Sequence, residues 1–520
     1  MSGFRFRVVA AALLLAVLPG PVLAQTEQAT EDETIGDNGP DEAIAVEIRS
    51  AVGGKLKAFY RTRGYWPMWV RDGALGSEAD TFVAILESAD LDGLDPRRYD
   101  PQDLKDLIAS ARQGTPRDLA RAELKLSRTL VDYVRDSRRA PTVEMTYLDK
   151  ELQPVLPTEM AVLRSAAVAP SLASYLGTVG WMNPIYGRLR NALADYRTSW
   201  AALPAVEILP GATLRPGNKG DRVRLLRERL GLAEGAVFDK PLAAALRAFQ
   251  SAHGLPSDAV AGPMTLAALN RPPEYYERTL LLNLERARAL PSGRKRYIVV
   301  DAGSARLWMY ENGEVRDTMK VIVGTTETQT PMLVGMVRYA ILNPYWNMPT
   351  NLVSLRLAPK MLEGASLSGM GYEALSDWTH EAQILDPATI DWQAVADGRQ
   401  EIRVRQLPGK SNAMGRVKFM FPNDLGIYLH DTPDKKLFQD KERHFSNGCI
   451  RLEDAQRLGA WLFGKPLEPE SDAPEQNVSL PEPMPVYITY LTAAPAEKGI
   501  AFSADAYGRD GNGEEQHASN

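Results

Sequence analysis

Cysteine is almost absent from this chain, which has a single cysteine, Cys449, among 520 residues. A disulfide framework needs paired cysteines, so none can form within the chain. Histidine is also scarce, and the five histidines show neither His-x-x-x-His nor His/Cys spacing. A zinc hydrolase is therefore disfavoured, and we predict no metal site.

Strong charge of either sign is missing as well. The formal net charge is −6, and the sequence has no basic stripe of the kind that follows a nucleic-acid backbone. No Gly-rich phosphate loop follows a strand-like segment, so nucleotide use is unsupported. We therefore predict no cofactor and no nucleic-acid partner. The proportions of hydrophobic (44%) and charged (24%) residues are those of ordinary globular domains.

Long apolar runs are limited to residues 8–18, which are too few to span a bilayer comfortably. Basic residues precede this run and small residues lead up to Gln25, so residues 1–24 are predicted to be a cleaved secretory signal peptide. No transmembrane anchor is expected after cleavage, and the lack of a lipobox cysteine argues against a lipoprotein. The acidic, polar residues 25–43 are predicted to be a disordered leader.

If the protein is exported, Cys449 becomes a candidate reactive group, because an unpaired cysteine in an oxidising compartment has no disulfide partner within the chain. A free thiol titrates near ~8.5, so a catalytic cysteine needs a neighbouring imidazole that lowers its pKa and takes its proton. His430, 19 positions before Cys449, is the candidate. The alternative is that Cys449 is a small buried apolar residue and His430 a packed one.

The residues around Cys449 are suited to acyl transfer. Gly448 permits a tight turn just before the thiol. Backbone N–H groups of Gly448 and Cys449 could then face a developing oxyanion. Arg451 carries a fork of donors that suits a substrate carboxylate, but it could also form an ordinary surface ion pair.

Two segments of the chain together resemble the signature of the L,D-transpeptidases, whose catalytic domain is called YkuD-like. They are Tyr-Leu-His-Asp-Thr-Pro at 428–433 and Phe-Ser-Asn-Gly-Cys-Ile-Arg-Leu at 445–452. The likeness is greatest to the large Gram-negative members, which carry further domains upstream. The common form of the motif has Ser-His-Gly-Cys, whereas this chain has Asn447 in place of the second histidine, and the role of that position stays open.

The resemblance implies a role for each matching residue. Cys449 is expected to be the nucleophile and His430 the general base and acid, with Gly448 and Tyr428 stabilising the oxyanion. The residues expected to contact substrate are Arg451, Ser446, Asn447, Trp346 and Tyr345. Trp346 could instead plug the core of the domain, since buried tryptophans are common there.

The periodicity of apolar residues divides the chain. A helical pattern over 44–213 resembles the scaffold domain of the large members, and residues 272–295 are expected to return to that scaffold. Residues 214–271 are similar to a small three-helix peptidoglycan-binding domain, although Ala259 stands where that family usually has glycine. Whether this unit binds glycan stays open, because a fold alone does not establish a function.

From residue 296 the pattern alternates, and Asn312-Gly313 is a strong hairpin signal. We predict a β-sandwich-like catalytic domain over 296–506 with a capping insertion at about 357–400. The polar, Gly-rich residues 507–520 are predicted to be a disordered tail. The fold class is therefore a multidomain α+β protein.

The resemblance implies a periplasmic transferase that links third-position diamino acids of peptidoglycan stem peptides through a cysteine thioester. Carbapenem-type β-lactams would then acylate Cys449. The partners implied are stem peptides and glycan, and participation of other cell-wall synthesis enzymes stays open. Alternatives on the same site are an L,D-endopeptidase or carboxypeptidase, or attachment of an envelope protein. A non-catalytic wall-binding scaffold is favoured only if Asn447 has disabled the site.

Overall fold

The structure, a computed structural model, describes residues 39–379, 381–496 and 499–511. The predicted signal peptide and residues 25–38 of the predicted leader lie outside the described residues, as do His380 and residues 512–520. The N-terminal part is helical and the C-terminal part is rich in strands, so the predicted α+β class is confirmed.

The N-terminal part is a set of helices around one apolar core. The predicted leader was too long, because the first helix begins at Pro40, where proline occupies the first turn. The longest helix starts with a capping box in which Thr115 and Asp118 satisfy each other's backbone N–H groups. The elements are α1 (Pro40–Ala51), α2 (Leu56–Thr62), β1 (Val70–Arg71), β2 (Ala74–Leu75), α3 (Glu78–Glu87), α4 (Pro101–Arg112), α5 (Pro116–Asp136), β3 (Thr146–Tyr147), α6 (Glu159–Val168), α7 (Leu172–Val179) and α8 (Pro184–Thr198), with 3-10 turns at Ala89–Asp92, Pro96–Tyr99 and Lys150–Leu152.

A small three-helix unit follows, with its own core around Leu226, Leu246 and Phe249. Ala259 adopts a left-handed φ of 61°, the conformation that explains why glycine is common at this place in the family motif. The unit comprises α9 (Asp221–Arg229), α10 (Lys240–Ala252) and α11 (Pro263–Asn270), and α12 (Pro273–Arg288) then packs against α8.

The strand-rich part opens with four consecutive strands. Asn312 and Gly313 both have positive φ, 53° and 81°, as a tight hairpin between the second and third strands requires. The predicted hairpin is therefore present. The strands are β4 (Arg296–Asp301), β5 (Arg306–Glu311), β6 (Glu314–Gly324) and β7 (Leu333–Leu342).

The insertion expected as a cap is a separate small subdomain with its own sheet. Its core includes Val353, Trp392 and Val404, and it begins earlier than predicted, at Trp346. Its elements are β8 (Trp346–Met348), α13 (Thr350–Leu352), a π-helix at Val353–Leu357, α14 (Ala358–Leu362), a 3-10 turn at Ser368–Met370, β9 (Tyr372–Leu375), β10 (Ile384–Leu385), a 3-10 turn at Pro387–Thr389, α15 (Trp392–Ala396) and β11 (Arg403–Gln406), with strand order β10-β9-β11-β8.

The remaining strands close the main sheet on itself. They are β12 (Val417–Met420), β13 (Leu429–His430), β14 (His444–Ser446), β15 (Ile450–Leu452) and β16 (Gln476–Thr489), followed by the hairpin β17 (Ala493–Pro495) and β18 (Ile500–Phe502); a 3-10 turn lies at Lys435–Gln439 and α16 at Ala455–Phe463. The order is β12-β13-β15-β6-β5-β4-β16-β7, and β7 pairs again with β12. Strands that we expected to form a sandwich therefore form one ring.

Alternation along the strands gives this ring two apolar faces. Ile298 and Val300 of β4 point into the core inside the ring, whereas Tyr297 and Val299 pack outward in a second core shared with α8 and α12. The scaffold also donates β3, whose Thr146 pairs in parallel with Leu333 of β7. The helical and strand-rich parts therefore share both a core and a sheet edge.

The segment after residue 506 does not fit the predicted disordered tail as far as residue 511. Tyr507 is buried, and Asp510 forms a buried ion pair of 2.7 Å with Arg286. Polar, Gly-rich composition misled the prediction because it does not reveal a long-range ion pair. Within the described ranges, no helix is both long and apolar enough to cross a bilayer.

Candidate active site

The site lies on the outer face of two neighbouring parallel strands. Leu429 of β13 pairs with Ile450 of β15, and His430 pairs with Arg451. Leu429 and Ile450 point into the core, so their neighbours point outward. Continuing this register places Tyr428 across from Cys449. Four predicted site residues therefore form a square on one face of the sheet, with His430 diagonal to Cys449.

The sulfur of Cys449 has Tyr428 and Gly426 as polar neighbours. Burial raises the pKa of the Cys449 thiol, while hydrogen bonds from the backbone N–H and the phenol of Tyr428, and the charge of Arg451, act in the opposite direction. Burial and the same sulfur raise the pKa of Tyr428, so its phenol stays a donor. In this arrangement the thiol donates to the Gly426 carbonyl oxygen at 3.3 Å.

The imidazole of His430 is held neutral. Its side chain is 2% exposed, and burial together with the charges of Arg451 and Lys418 lowers its pKa from 6.5 to about 3. Nδ1 is 2.6 Å from the Asp431 carbonyl oxygen, so an N–H at Nδ1 donates a hydrogen bond to that oxygen. Nε2 is then the basic nitrogen. No hydrogen bond joins His430 to Cys449 among the contacts of the described residues.

Gly448 shapes the turn that carries the thiol. Its φ is 106°, and a Cβ at this position would stand 3.1 Å from Cδ1 of Ile427. Its carbonyl oxygen accepts from the Thr330 hydroxyl at 2.8 Å. Both constraints favour glycine, so the prediction of a tight turn here is confirmed.

The structure gives Ser446 a different role from the predicted substrate contact. Ser446 is 2% exposed, and its hydroxyl donates to the Cys449 carbonyl oxygen at 2.6 Å while accepting from the Gly448 N–H at 3.2 Å. The hydroxyl is therefore used inside the turn, and it also occupies the N–H that we predicted would stabilise an oxyanion. Asn447, in contrast, is exposed.

Arg451 is the cation of the site. It is half-buried, and burial lowers its pKa while the carboxylate of Asp434 raises it. Among the described residues it makes no ion pair within hydrogen-bonding distance, so the alternative of an ordinary surface ion pair does not apply. Arg356, exposed on the π-helix of the cap, also lowers the pKa of Arg451, because two cations on facing elements repel.

Tyr345 and Trp346 lie where the cap leaves the catalytic sheet. Tyr345 stacks under the guanidinium of Arg405 at 4.1 Å, and its N–H donates to Oε1 of Glu475 at 2.7 Å. Trp346 pairs with Gln406 in the cap sheet and packs against the cap core. The alternative that Trp346 plugs the main core is therefore wrong, although the described contacts do not bring either ring to Cys449.

Sequence reasoning missed several groups that surround and support the site. Lys418 of β12 pairs with His430 in the sheet, and its ammonium is 3.3 Å from the carboxylate of Glu475. Tyr507 donates to the Gly324 carbonyl oxygen at 2.7 Å and accepts from the N–H of Thr330, the residue that holds Gly448. Lys418 could have been found from the two-residue alternation of its strand, whereas nothing local signals Glu475 or Tyr507.

Comparison with known families divides the chain as follows. Residues 295–467 match the L,D-transpeptidase catalytic domain model of the YkuD family. Residues 54–193 match a scaffold domain model, and residues 219–269 match the "Putative peptidoglycan binding domain". The chain therefore contains an L,D-transpeptidase catalytic domain, a scaffold domain and a peptidoglycan-binding domain. The resemblance to L,D-transpeptidases is confirmed at this level.

The chain is also similar to one curated protein and to several solved structures. A "Putative L,D-transpeptidase" from Haemophilus influenzae is 34% identical over 239 residues, which is 44% of this chain and 48% of that protein. The match thus spans about half of the relative's length. An L,D-transpeptidase structure from Xylanimonas cellulosilytica has 17% identity, covering 54% of this chain and all of that one, with a TM-score of 0.18. One from Mycobacterium smegmatis has 15% identity, covering 38% and 63%, with a TM-score of 0.18.

Proposed function

We propose that the protein is a peptidoglycan L,D-transpeptidase that cross-links third-position diamino acids of two stem peptides through a thioester on Cys449. The observation that carries the proposal is the outward-facing square of Tyr428, His430, Cys449 and Arg451 within an L,D-transpeptidase catalytic domain. A nucleophile, a base, a hydroxyl donor and a cation on one face are the groups that acyl transfer from a carboxylate-bearing peptide needs.

The resting site holds a thiol and a neutral imidazole rather than an ion pair. Burial raises the pKa of Cys449 and lowers that of His430, so the proton stays on sulfur until substrate arrives. Diagonal positions on neighbouring strands are about 8 Å apart, so the two side chains must rotate before they can meet. Substrate binding excludes water, and this rotation brings Nε2 of His430 to the thiol. Nε2 then takes the proton as Cys449 attacks.

The first half-reaction forms the thioester. Sγ of Cys449 bonds to the carbonyl carbon of the third stem residue, and the C–N bond to the terminal D-Ala breaks. The proton held on His430 passes to the leaving amine. Because Ser446 already accepts from the Gly448 N–H, the Cys449 N–H and the Tyr428 hydroxyl are the principal donors to the oxyanion.

The second half-reaction regenerates the thiol. The side-chain amine of a diamino acid on another stem attacks the thioester carbon and gives its proton to His430, which returns it to the departing sulfur. Arg451 holds a stem carboxylate throughout, since it is a half-buried guanidinium beside Cys449 that makes no ion pair with the described residues. Catalysis proceeds in the periplasm after signal cleavage, on stem peptides that the peptidoglycan-binding domain keeps nearby.

Intact-protein mass spectrometry with a carbapenem tests the nucleophile. The parent protein is expected to gain one adduct, and Cys449→Ala none, because only a competent acylation site opens the β-lactam. His444→Gln is a suitable control, since His444 lies nearby but bonds to the Ala302 carbonyl oxygen. It should retain the adduct.

The product of incubation with tetrapeptide muropeptides then tests the reaction. A cross-linked dimer is expected from the parent and none from Cys449→Ala. A shortened monomer would indicate hydrolysis instead, and an adduct or dimer from the alanine variant would contradict the mechanism. Slow alkylation by iodoacetamide would not count against activity, because the raised pKa of Cys449 keeps the thiol protonated at rest.

A further inference from the structure

A cleft of about 730 Å³ opens between the scaffold and the catalytic sheet, with none of residues 428–451 in its walls. It is bounded by the segment 138–157, Trp181 and Met182 before α8, the end of α12 with the residues after it, and Tyr487 of β16. Clefts of roughly 300–1,000 Å³ are the usual size of small-molecule sites. Nothing in the proposed reaction uses it.

The cleft carries an excess of positive charge. Arg138, Arg139, Arg288 and Arg294 line it, with Glu151 as the single carboxylate in its lining. Arg139 pairs with a carboxylate, Asp136, at 3.4 Å. The other three arginines have no carboxylate within ion-pair distance in the parts of the chain that the structure describes.

The guanidiniums of these arginines are held by carbonyl oxygens, which orient them without neutralising them. Arg138 donates to the carbonyl of residue 134 at 3.0 Å, and Arg294 donates to that of Glu151 at 2.8 Å. Arg288 donates to the carbonyl of Arg139 at 3.0 Å, while its Nε is buried without a partner. A buried unsatisfied donor costs free energy unless a ligand or water accepts from it.

Apolar side chains lie exposed beside this charge. Trp181 is 52% exposed and Val155 is 87% exposed, although both line the cleft. An exposed indole beside fixed cations suits a ligand that has both an apolar ring face and anionic groups.

The cleft is preformed, because its wall is bonded to the catalytic sheet. The N–H groups of Thr146 and Leu148 donate to carbonyl oxygens of residues 332 and 334 at 3.1 and 2.9 Å, and the N–H of Met336 donates to Asp149 at 2.7 Å. A ligand here therefore finds its binding groups fixed, which reduces the entropy lost on binding.

We propose that this cleft is a second binding site for a carboxylate-bearing peptidoglycan fragment, the stem peptide together with its sugar. The guanidiniums bind the stem carboxylates and Trp181 packs on the sugar ring. This second site rests on the proposed function in one respect, namely that the ligand is taken to be peptidoglycan. A strand bound here would be held against the wall of the catalytic domain while another part of the polymer enters the active site.

The test uses the full-length Cys449→Ala protein, in which no turnover can occur. An uncross-linked disaccharide tetrapeptide is added, and hydrogen–deuterium exchange is followed in residues 138–157 and around Trp181. We expect protection there, and about tenfold weaker binding, read from the titration of that protection, in Arg138→Gln and in Arg294→Gln. Trp181→Ala should weaken binding as well. Arg121→Gln is the matched control, because Arg121 is exposed on α5 outside the cleft, and it should bind like the parent.

Three results would overturn the proposal. The first is the absence of protection in 138–157, or protection that the arginine variants do not change. The second is equal binding of a neutral disaccharide that lacks both the stem peptide and any sugar carboxylate, since binding would then not depend on carboxylates. The third is protection by phosphatidylglycerol vesicles but not by the muropeptide, which would make this a lipid site. Failure of the parent protein to cross-link would instead count against the proposed function, because the exchange experiment needs no turnover.

Discussion

Two buried histidines in this protein share a titration behaviour and differ in surroundings. His430 in the active site has a pKa lowered to about 3, and His253 in the peptidoglycan-binding domain has one lowered to about 4, both chiefly by burial. Each has Nδ1 close to a backbone carbonyl oxygen, 2.6 Å for His430 and 2.7 Å for His253. By these measures alone the two imidazoles are equivalent.

The two histidines differ in the surroundings of their other ring nitrogen, Nε2. The ring of His253 is stacked between those of Phe249 and Phe502, with ring centroids 3.9 and 5.6 Å apart. Its Nε2 is buried and has no hydrogen-bond partner. In the described chain, Nε2 of His430 is not among such sealed atoms. His430 instead has charged neighbours in register on both sides, Lys418 and Arg451.

The comparison teaches that a shifted pKa locates burial and not function. The rings around His253 include members of α8, α10, α12 and β18, so this imidazole packs between the peptidoglycan-binding domain, the scaffold helices and the last hairpin. His430 is flanked instead by the cations Lys418 and Arg451, on the sheet face that also carries Cys449. What distinguishes His430 is that its Nε2 is not among the buried unpartnered atoms of the described chain, and that its strand pairs with the strand that follows Cys449.

The largest expected difference is in turnover. His430→Gln should lower the rate of muropeptide cross-linking by about 10³-fold, because a positioned acid–base group contributes on the order of 10²–10⁴-fold. His253→Phe should leave the rate close to that of the parent, since the ring lies in a structural contact. Steady-state product analysis by chromatography measures both. Equal losses in the two variants would remove the distinction that we draw.

The next effect is on stability in acid. The folded-state pKa of His253 lies below the unfolded value of about 6.5, so the unfolded chain binds more protons and stability falls as pH drops from 6.5 to about 4. The contribution lost is about 3 kcal/mol. His253→Phe should therefore flatten the pH dependence of thermal unfolding across this window. An unchanged slope would show that the imidazole is not the group that titrates.

The smallest effect concerns the cations beside His430. Removing a positive charge favours protonation, so Arg451→Gln should raise the pKa of His430 and move the acid limb of the kcat profile to higher pH by roughly one unit. Lys418→Gln should move it less, because Lys418 contributes less to the shift. A limb that stays in place in both variants would mean that burial alone sets this pKa.

Local signals in the sequence were sufficient for part of the fold. Asn312-Gly313 predicts its hairpin because both residues tolerate positive φ, and alternation predicts the strands on either side. The closing of the ring and the scaffold strand beside β7 were not predictable, since Thr146 and Leu333 are far apart in the chain. Such pairings depend on topology, which one sequence does not display.

The candidate site divides in the same way. Cys449 was singled out as an unpaired thiol in a chain predicted to be exported, and its pairing with His430 was implied by the resemblance to the L,D-transpeptidase motif. Gly448 was predicted from the needs of a tight turn. Ser446 was assigned to substrate because a hydroxyl next to a nucleophile suggests it, but only the structure shows that this hydroxyl bonds within the turn. Nothing in the sequence near Glu475 indicated a role for it, because its contacts with Lys418 and Tyr345 join residues that are far apart in the sequence.

The bond from Tyr507 to the strand beside the nucleophile has a consequence for how the enzyme matures. Thr330 holds Gly448, and Tyr507 bonds both to Thr330 and to Gly324. Because synthesis runs from the N-terminus, Cys449 is made before Tyr507. The turn that carries the thiol therefore gains its full set of supporting hydrogen bonds only after Tyr507, 58 positions later, has been added.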